Sequence, residues 1–243
     1  MKNILVTGGT GYIGSHTVLI LLIKGYKVTI LDSFVNSNPK VIERINLILK
    51  DIDSELERNL SFIKGDIRDY FSINEIFLKA EETSNNFEAV IHFAGLKSVK
   101  DSKNFPLNYW DVNIAGTINL LKIMDKYNCH NFIFSSSATV YGEKNQPPFK
   151  EDFNLYPINP YANNKACIEK FLEDIFNSQT NKWNIVNLRY FNPIGAHHSG
   201  MIGEYPLGKP NNIFPILLNA CSKKKEIKIF GNDWPTHDGT CVR

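Results

Sequence analysis

Short apolar runs alternate with longer amphipathic stretches along most of this 243-residue chain. The short runs are nearly continuous in hydrophobic residues, which is typical of strands covered on both faces, and the stretches between them have helical periodicity. The pattern predicts repeated strand–helix–strand units and hence an α/β fold with a doubly wound parallel sheet. The predicted strands are residues 3–7, 27–31, 60–64, 89–94, 131–135 and 184–189, and the predicted helices are residues 12–24, 40–51, 73–82, 108–127 and 162–176.

The sequence pattern changes after Phe191. Prolines and glycines crowd residues 193–210, where hydrophobic periodicity is weak. Such a stretch predicts a long loop over a site. A short helix around residues 214–223 and a strand around residues 225–230 are predicted to follow this loop.

The charge balance excludes two classes of partner. Lys and Arg number 27 against 25 Asp and Glu, and the formal net charge of +2 creates no field that would favour nucleic acid or an anionic membrane. The longest aliphatic run, residues 18–23, is much shorter than the roughly 18 to 20 apolar residues that span a bilayer. Glycines interrupt the N-terminal apolar run, so it lacks the apolar core of a signal peptide. We therefore expect a cytoplasmic protein.

Cysteine and histidine spacing predicts neither a disulfide framework nor a metal site. The 4 cysteines lie far apart and include no C-x-x-C pair. The adjacent His197 and His198 have no third ligand nearby in the sequence, so a contact within a loop is the simpler interpretation.

A glycine-rich turn follows the first predicted strand and opens the first predicted helix. Gly8 permits the tight turn, Gly11 lets the backbone approach a pyrophosphate, and Gly14 allows close packing of helix on strand. Asp32 follows the second predicted strand, where a carboxylate can accept both hydroxyls of an adenosine ribose. Since no arginine follows to balance a 2′-phosphate, the motif predicts NAD rather than NADP.

Two further strand ends resemble the wall of a cofactor site, at residues 65–67 and 93–97. Ligands of open α/β sheets bind at the carboxyl ends of strands, which is where both segments fall. Asp66 has two interpretations at this point. Its carboxylate can accept the amino group of adenine, or it can cap the helix that follows.

A phenol and an ammonium, from Tyr161 and Lys165, lie four residues apart and hence on one face of a predicted helix. Free tyrosine titrates near pH 10, roughly, which is too high for a base at neutral pH, but a positive charge held close lowers that pKa. Three serines, residues 135–137, end the fifth predicted strand. Because hydroxyls are costly to bury without partners, they indicate a polar ligand at the same place.

The glycine turn, the serine-rich strand end and the Tyr/Lys pair together resemble the extended short-chain dehydrogenase/reductase superfamily. The chain is similar throughout to one of its families, the UDP-glucose (UDP-galactose) 4-epimerases. The segments that carry this resemblance are residues 7–17, 90–97, 131–142, 188–195 and 230–243.

The resemblance implies a chemical role for each of three residues. Tyr161 would take the proton of the sugar 4′-hydroxyl, Lys165 would bind the nicotinamide ribose and tune the phenol, and Ser137 would bond the same hydroxyl and relay its proton. The implied reaction interconverts UDP-galactose and UDP-glucose through transient oxidation at C4 of the sugar, rotation of a 4-keto intermediate and return of the hydride.

The resemblance also implies binding residues and an assembly. It implies a homodimer that packs the predicted helices 108–127 and 162–176 in an intersubunit bundle. The implied NAD contacts are Gly8, Gly11, Tyr12, Ile13, Gly14, Asp32, Ser33, Asn36, Ser37, Asp66, Ile67, Phe93, Ala94, Gly95, Lys97, Tyr161, Lys165 and Phe191. The implied UDP-sugar contacts are Lys97, Ser137, Tyr161, Asn192, Asn212, Lys228, Phe230 and Arg243.

We therefore expect two domains. Residues 1–191 would form a Rossmann domain for NAD with the catalytic Ser, Tyr and Lys, and residues 192–243 a smaller UDP-sugar lobe that is incomplete on its C-terminal side. Two alternatives stay open. A fragment of this kind can bind NAD or a UDP-sugar without turnover, and a nucleotide-sugar dehydratase shares the scaffold, although Ala138 and Thr139 stand where dehydratases of this superfamily carry Asp-Glu.

Overall fold

The apolar runs form one six-stranded parallel sheet in the computed structural model, which describes residues 1–178, 182–208, 210, 212–229 and 231–240. The spatial order of the strands is β3-β2-β1-β4-β5-β6. Their bounds are β1 Asn3–Thr7, β2 Lys27–Asp32, β3 Leu60–Lys64, β4 Phe87–His92, β5 Asn131–Ser137 and β6 Asn184–Tyr190.

The strand order reverses direction once, between β1 and β4. From β1 the chain winds outward through β2 to β3, and it then crosses back to place β4 on the other side of β1. Leu5 of β1 is thus paired with Thr29 on one side and with Val90 on the other. A ligand of such a sheet binds in the crevice at this switch point, beyond the carboxyl ends of the strands.

The helices lie on both faces of the sheet, and side chains fix the starts of two of them. Asp69 accepts a hydrogen bond from the Ser72 backbone N–H at the start of the third helix, and Ser98 accepts one from Asp101 at the start of the fourth. The helices are α1 Tyr12–Ile23, α2 Lys40–Ile52, α3 Tyr70–Glu82, α4 Val99–Asn104, α5 Pro106–Tyr109, α6 Gly116–Lys126, α7 Pro160–Ser178 and α8 Ile213–Lys223, with short 3-10 turns at Leu56–Asn59 and Ala138–Tyr141.

Two hydrophobic clusters form the core, one on each face of the sheet. Within β1 the side chains alternate, so that Leu5 joins one cluster while Ile4 and Val6 join the other. The first cluster also contains the fully buried Phe132 and Phe134 of β5. This two-sided burial confirms the doubly wound sheet that the continuous apolar runs predict.

Two sequence-based expectations were wrong in detail. The predicted helix 108–127 is interrupted by a wider π-helical segment, Trp110–Ala115, between α5 and α6. Residues 225–229 form no strand, and Phe230 lies outside the described residues. Within the described part of the chain, no helix is long and apolar enough to cross a membrane.

Truncating Phe132 tests the core. Phe132→Ala removes a side chain with 0% exposure and is expected to lower the free energy of unfolding by about 3 to 5 kcal/mol, through lost burial and the cavity left behind. Phe71→Ala, at a side chain with 80% exposure on α3, is the matched control and should change it by less than about 0.5 kcal/mol. Urea unfolding measures both, and equal effects would contradict the burial pattern.

Candidate active site

The glycine turn after β1 brings two strand ends into backbone contact. Gly8 has a φ of 69°, and a Cβ there would lie 2.6 Å from the backbone nitrogen of Ala94, beyond the end of β4. A Cβ on Gly14 would lie 2.3 Å from the Gly8 carbonyl oxygen. Gly11 directly precedes α1, and no described side chain caps that helix. The first N–H groups of α1 are therefore left for an anion.

Asp32 is buried at the end of β2 and held in place by three donors. Its Oδ2 accepts from the Thr10 backbone N–H at 3.0 Å, and its Oδ1 accepts from the Phe34 N–H at 2.9 Å and the Ser37 hydroxyl at 3.2 Å. A carboxylate has about four acceptor positions, so the oriented group can still accept from a ligand. Ser33 beside it is partly buried and Asn36 is exposed.

Asp66, after β3, is paired with an arginine that the sequence did not single out. Arg68 donates to its carboxylate from Nε at 3.0 Å and from Nη2 at 2.7 Å, and from Nη1 to Asp111 at 2.9 Å. These bonds, from the Arg68 side chain above all, lower the pKa of Asp66. The helix-cap alternative for Asp66 was wrong, since Asp69 caps α3. Ile67 is buried.

The segment after β4, residues 93–97, is clamped by an asparagine from the π-helical segment. Asn113 accepts from the Leu96 N–H at 2.8 Å through Oδ1 and donates to the Leu96 carbonyl at 3.1 Å through Nδ2. Phe93, Ala94 and Gly95 are partly buried along this wall, whereas the Lys97 side chain is exposed. Sequence reasoning missed Asn113, because only the π-helical turn aims its amide at this wall.

His92, at the end of β4, is fully enclosed and neutral. Its ring nitrogens lie 2.6 Å from the Thr7 hydroxyl and 3.0 Å from the Thr117 hydroxyl. Burial, and next to it the charge of Lys165, lower its pKa to about 3. It therefore links β1 to α6 as a hydrogen-bonding group and carries no charge at neutral pH.

The amine of Lys165 is buried against the end of β5. Its Nζ donates to the Ser135 carbonyl at 2.7 Å and lies 4.6 Å from the centre of the Phe134 ring. It lies 5.9 Å from the centre of the Tyr161 ring, one turn earlier on α7. Burial lowers the pKa of Lys165 to about 8, while the charge of Glu169 acts to raise it.

Tyr161 and Ser137 lie at the same strand end. Burial raises the pKa of Tyr161, and the Ser137 hydroxyl acts in the opposite direction. The lower pKa that the sequence suggested for this phenol is therefore absent in the protein alone, because burial outweighs the hydrogen bond with Ser137. Ser137 is 9% exposed, and its Oγ accepts from the Thr139 hydroxyl at 2.9 Å.

The residues expected on the sugar side are less enclosed. Phe191 and Asn192 are exposed on the loop after β6, and Lys228 is exposed after α8. Asn212 precedes α8 and donates its side-chain amide to Glu204. Phe230 and Arg243 lie outside the described residues.

One crevice joins the loop after β6 to the glycine turn. The Tyr12 hydroxyl donates to the Gly195 carbonyl at 2.8 Å, and the space beside it measures about 270 Å³. The crevice is lined by Tyr12, Ile13, His16, Pro193, Ile194, Gly195 and Ala196. Within the described residues, no group of three His, Cys, Asp or Glu side chains is arranged to hold a metal ion.

Three features lie at the carboxyl ends of the strands of this doubly wound sheet. They are the uncapped helix start, the buried strand-end carboxylate, and the cluster of Tyr161, Lys165 and Ser137. This combination defines an extended short-chain dehydrogenase/reductase. A family model described as GDP-mannose 4,6 dehydratase matches residues 5–243, nearly the whole chain.

Comparison with named relatives indicates which family of this superfamily the chain resembles. A bifunctional UDP-glucose 4-epimerase and UDP-xylose 4-epimerase of Pisum sativum is 45% identical over 243 residues, which are 100% of this chain and 67% of the pea protein. A UDP-glucose 4-epimerase of Cyamopsis tetragonoloba is 46% identical, over 100% of this chain and 66% of that protein. The chain thus spans about two thirds of the length of these relatives.

Solved structures of UDP-glucose 4-epimerases are also similar to this chain. UDP-glucose 4-epimerase from Stenotrophomonas maltophila, with bound NAD and formylated UDP-arabinopyranose, matches with a TM-score of 0.88 and 40% identity over 99% of this chain and 68% of that one. The enzyme from Bifidobacterium longum, in complex with NAD+ and UDP, matches with a TM-score of 0.88 and 41% identity over 98% of this chain and 68% of that one. The chain belongs to the UDP-glucose 4-epimerase family, which confirms the resemblance seen in the sequence.

Replacing Lys165 tests the buried amine. Its pKa is about 8 in the folded chain, against an ordinary value of 10.5. Between pH 8 and pH 10.5, roughly, the unfolded chain holds a proton on this amine that the folded chain has released. The free energy of unfolding therefore rises with pH in this range. The rise contributed by Lys165 is about 3 kcal/mol, and Lys165→Met should lack it.

Urea unfolding near neutral pH and at about pH 10 measures this contribution. Lys170→Met, which removes an exposed lysine from the same helix, is the control and should follow the pH dependence of the original protein. A pH dependence of Lys165→Met parallel to that of the original protein would contradict a buried amine that loses its proton.

Proposed function

We propose that this chain catalyses the NAD-dependent interconversion of UDP-galactose and UDP-glucose. The observation that supports this most directly is the cluster of Tyr161, Lys165 and Ser137 at the end of β5, beside the switch point of the sheet. Relatives that are 45% and 46% identical carry out this type of epimerisation by name.

The residues fit NAD. The uncapped start of α1 at Gly11 suits the pyrophosphate, and Asp32 suits the hydroxyls of the adenosine ribose. Asp66 and the wall from Phe93 to Lys97 would line the adenine and nicotinamide sides. When bound, NAD supplies a reversible hydride acceptor for C4 of the sugar and a positive charge that favours the Tyr161 phenolate.

Tyr161 would act as the base through its phenolic oxygen, taking the proton of the sugar 4′-hydroxyl. Since burial raises its pKa in the protein alone, the phenol keeps its proton until positive charge is close. Protonated Lys165 supplies part of that charge and, fixed by the Ser135 carbonyl, would also bond a ribose hydroxyl. Ser137 would hold the sugar hydroxyl in line with Tyr161.

The sugar and uracil would be held mainly by residues 192–243, which we assign to a UDP-sugar lobe. Asn192, Asn212, Lys228, Phe230 and Arg243 are the proposed contacts, together with Lys97 on the sheet domain, residues 1–191. Elimination of water, as in a dehydratase, needs a carboxylic acid beside the serine, and Ala138 and Thr139 supply none.

We also propose a cytoplasmic homodimer. The free thiols of Cys129 and Cys167 suit a reducing compartment. An exposed apolar surface supports the dimer: Phe105, Leu107 and Trp110, which are 63%, 83% and 40% exposed, lie on α5 and its flanks, and α5 packs beside α7. Such an apolar surface is typical of a contact with another protein.

Substituting Tyr161 tests the proposed reaction. Tyr161→Phe is expected to lower kcat by about 100- to 10,000-fold, because it removes the base while keeping the ring. NAD binding, followed by tryptophan fluorescence, should persist. Conversion of UDP-galactose to UDP-glucose by the 243-residue chain is the measurement, and Tyr127→Phe, whose hydroxyl bonds Asn74 away from the site, is the control.

Two results would change this assignment. Substantial turnover by Tyr161→Phe would exclude Tyr161 as the base. An original chain that binds NAD and UDP without converting UDP-galactose would exclude the epimerase reaction.

Substituting Leu107 tests the dimer. Leu107→Glu places a charge on the exposed apolar surface and should shift the protein from dimer to monomer in light scattering at micromolar concentration. Phe71→Glu, at an 80% exposed position on α3, should remain dimeric. A monomeric original protein under the same conditions would refute the proposed assembly.

A further inference from the structure

An ion pair between a buried carboxylate and a partly buried guanidinium lies directly behind the proposed catalytic cluster. Glu169 is on α7, one turn after Lys165, and its side chain is 6% exposed. Arg189, on β6, is 18% exposed and donates to both carboxylate oxygens of Glu169, from Nη2 at 2.8 Å and from Nε at 3.2 Å. Neither residue belongs to the set that the sequence assigned to cofactor or substrate.

The pair is joined to the same strand end that carries the cluster. The Ser136 hydroxyl donates to Glu169, and Ser136 is the register partner of Arg189 between β5 and β6. On either side of Ser136, the Ser135 carbonyl accepts from Lys165 and Ser137 is the proposed substrate contact. Successive residues at the end of β5 therefore hydrogen-bond to one turn of α7, Ser135 to Lys165 and Ser136 to Glu169.

Arg189 extends the connection to the loop beyond β5. Its Nη1 donates to the Tyr141 hydroxyl at 3.0 Å and to the Glu151 carbonyl at 2.9 Å. The guanidinium also lies 4.9 Å from the centre of the Tyr141 ring. Tyr141 ends the 3-10 turn that Ser137 caps, so Arg189 fixes both sides of Ser137.

Stability alone does not account for such a pair. Taking two charges out of water costs several kcal/mol per ion, roughly, and a well-packed apolar pair of similar volume is often as stable or more stable. The exposed pair of Lys170 and Glu173, on the outer face of α7, shows that this helix also carries ion pairs without that cost. The burial of the Glu169 carboxylate, with Arg189 partly buried beside it, points to a positional role.

We propose that Glu169 and Arg189 form a positioning unit that holds the Ser135–Ser137 strand end against α7, and thereby keeps Ser137 and Lys165 in working geometry with Tyr161. This inference rests on the proposed function, since it assigns the unit to that same reaction. The groups that face Lys165 are Tyr161 and Glu169 on α7 and the neutral His92 on β4, with Arg189 on β6 behind Glu169. Glu169 is thus the only acidic side chain among these described groups.

The double variant Glu169→Leu/Arg189→Met tests the unit without leaving an unpaired buried charge. It is expected to keep a Tm close to that of the original protein, because apolar side chains fill the same space. It should lower kcat about tenfold or more and change KM for UDP-galactose less than about threefold, since a misplaced catalytic group affects turnover more than binding. Glu173→Gln, on the exposed face of α7, is the matched control and should leave kcat and KM unchanged.

A second readout does not need turnover. In protein labelled with ¹³C at lysine Cε, the signal that Lys165→Met removes reports the titration of Lys165. Because the Glu169 carboxylate favours the protonated amine, Glu169→Gln and the double variant should both titrate Lys165 at lower pH than the original protein does.

Each outcome separates the two proposals. A double variant with the original kcat, KM and Lys165 titration overturns the positioning unit and leaves the pair a purely structural contact. A parallel fall of Tm and kcat with an unchanged Lys165 titration also overturns it. An original chain without turnover refutes the proposed function. A lower pKa of Lys165 in Glu169→Gln would still support the coupling of Glu169 to that amine.

Discussion

Burial of both faces of one parallel sheet is the constraint on which the rest of the structure depends. Parallel strands place all their carboxyl ends at the same edge, and the single reversal between β1 and β4 opens a crevice there. Asp32, Phe93 and Ser137 end or follow three different strands, yet the sheet brings them to this edge. The close approach of Gly8 to Ala94 sets how near the two central strand ends come. The site is therefore a consequence of strand order before any side-chain chemistry is considered.

The same burial sets the electrostatics of the cluster. It lowers the pKa of the Lys165 amine and raises the pKa of the Tyr161 phenol, so each change favours the neutral form. The proton abstraction proposed for Tyr161 needs the opposite, a phenolate beside an ammonium. The protein offsets part of this cost with the Ser135 carbonyl on the amine and with the Glu169 carboxylate one turn further along α7. In the proposed reaction, the positive charge of bound NAD would favour the phenolate form of Tyr161.

Features that depend on local sequence could be predicted, and features that depend on distant contacts could not. The glycine turn, the strand-end carboxylate and the Tyr/Lys spacing are local patterns, and the structure places them as the strand and helix periods require. The break of helix 108–127 at Trp110–Ala115 could not be predicted from its hydrophobic period, because a π-helical turn is set by backbone hydrogen bonds. Residues 225–229 read as a strand from their alternating pattern, but they have no strand neighbour to pair with among the described residues.

The missed polar partners have a common physical cause. Asn113 binds the backbone at Leu96, and Arg189 joins Glu169 across elements that are far apart in the sequence. An isolated asparagine or arginine carries no spacing signal, because its partner is fixed only once the sheet and helices have assembled. These partners hold backbone and strand ends, whereas Tyr161, Lys165 and Ser137 are the groups proposed to act on the sugar. Catalytic geometry in this fold is thus divided between residues that a motif can show and buried polar residues that only the assembled fold brings into contact.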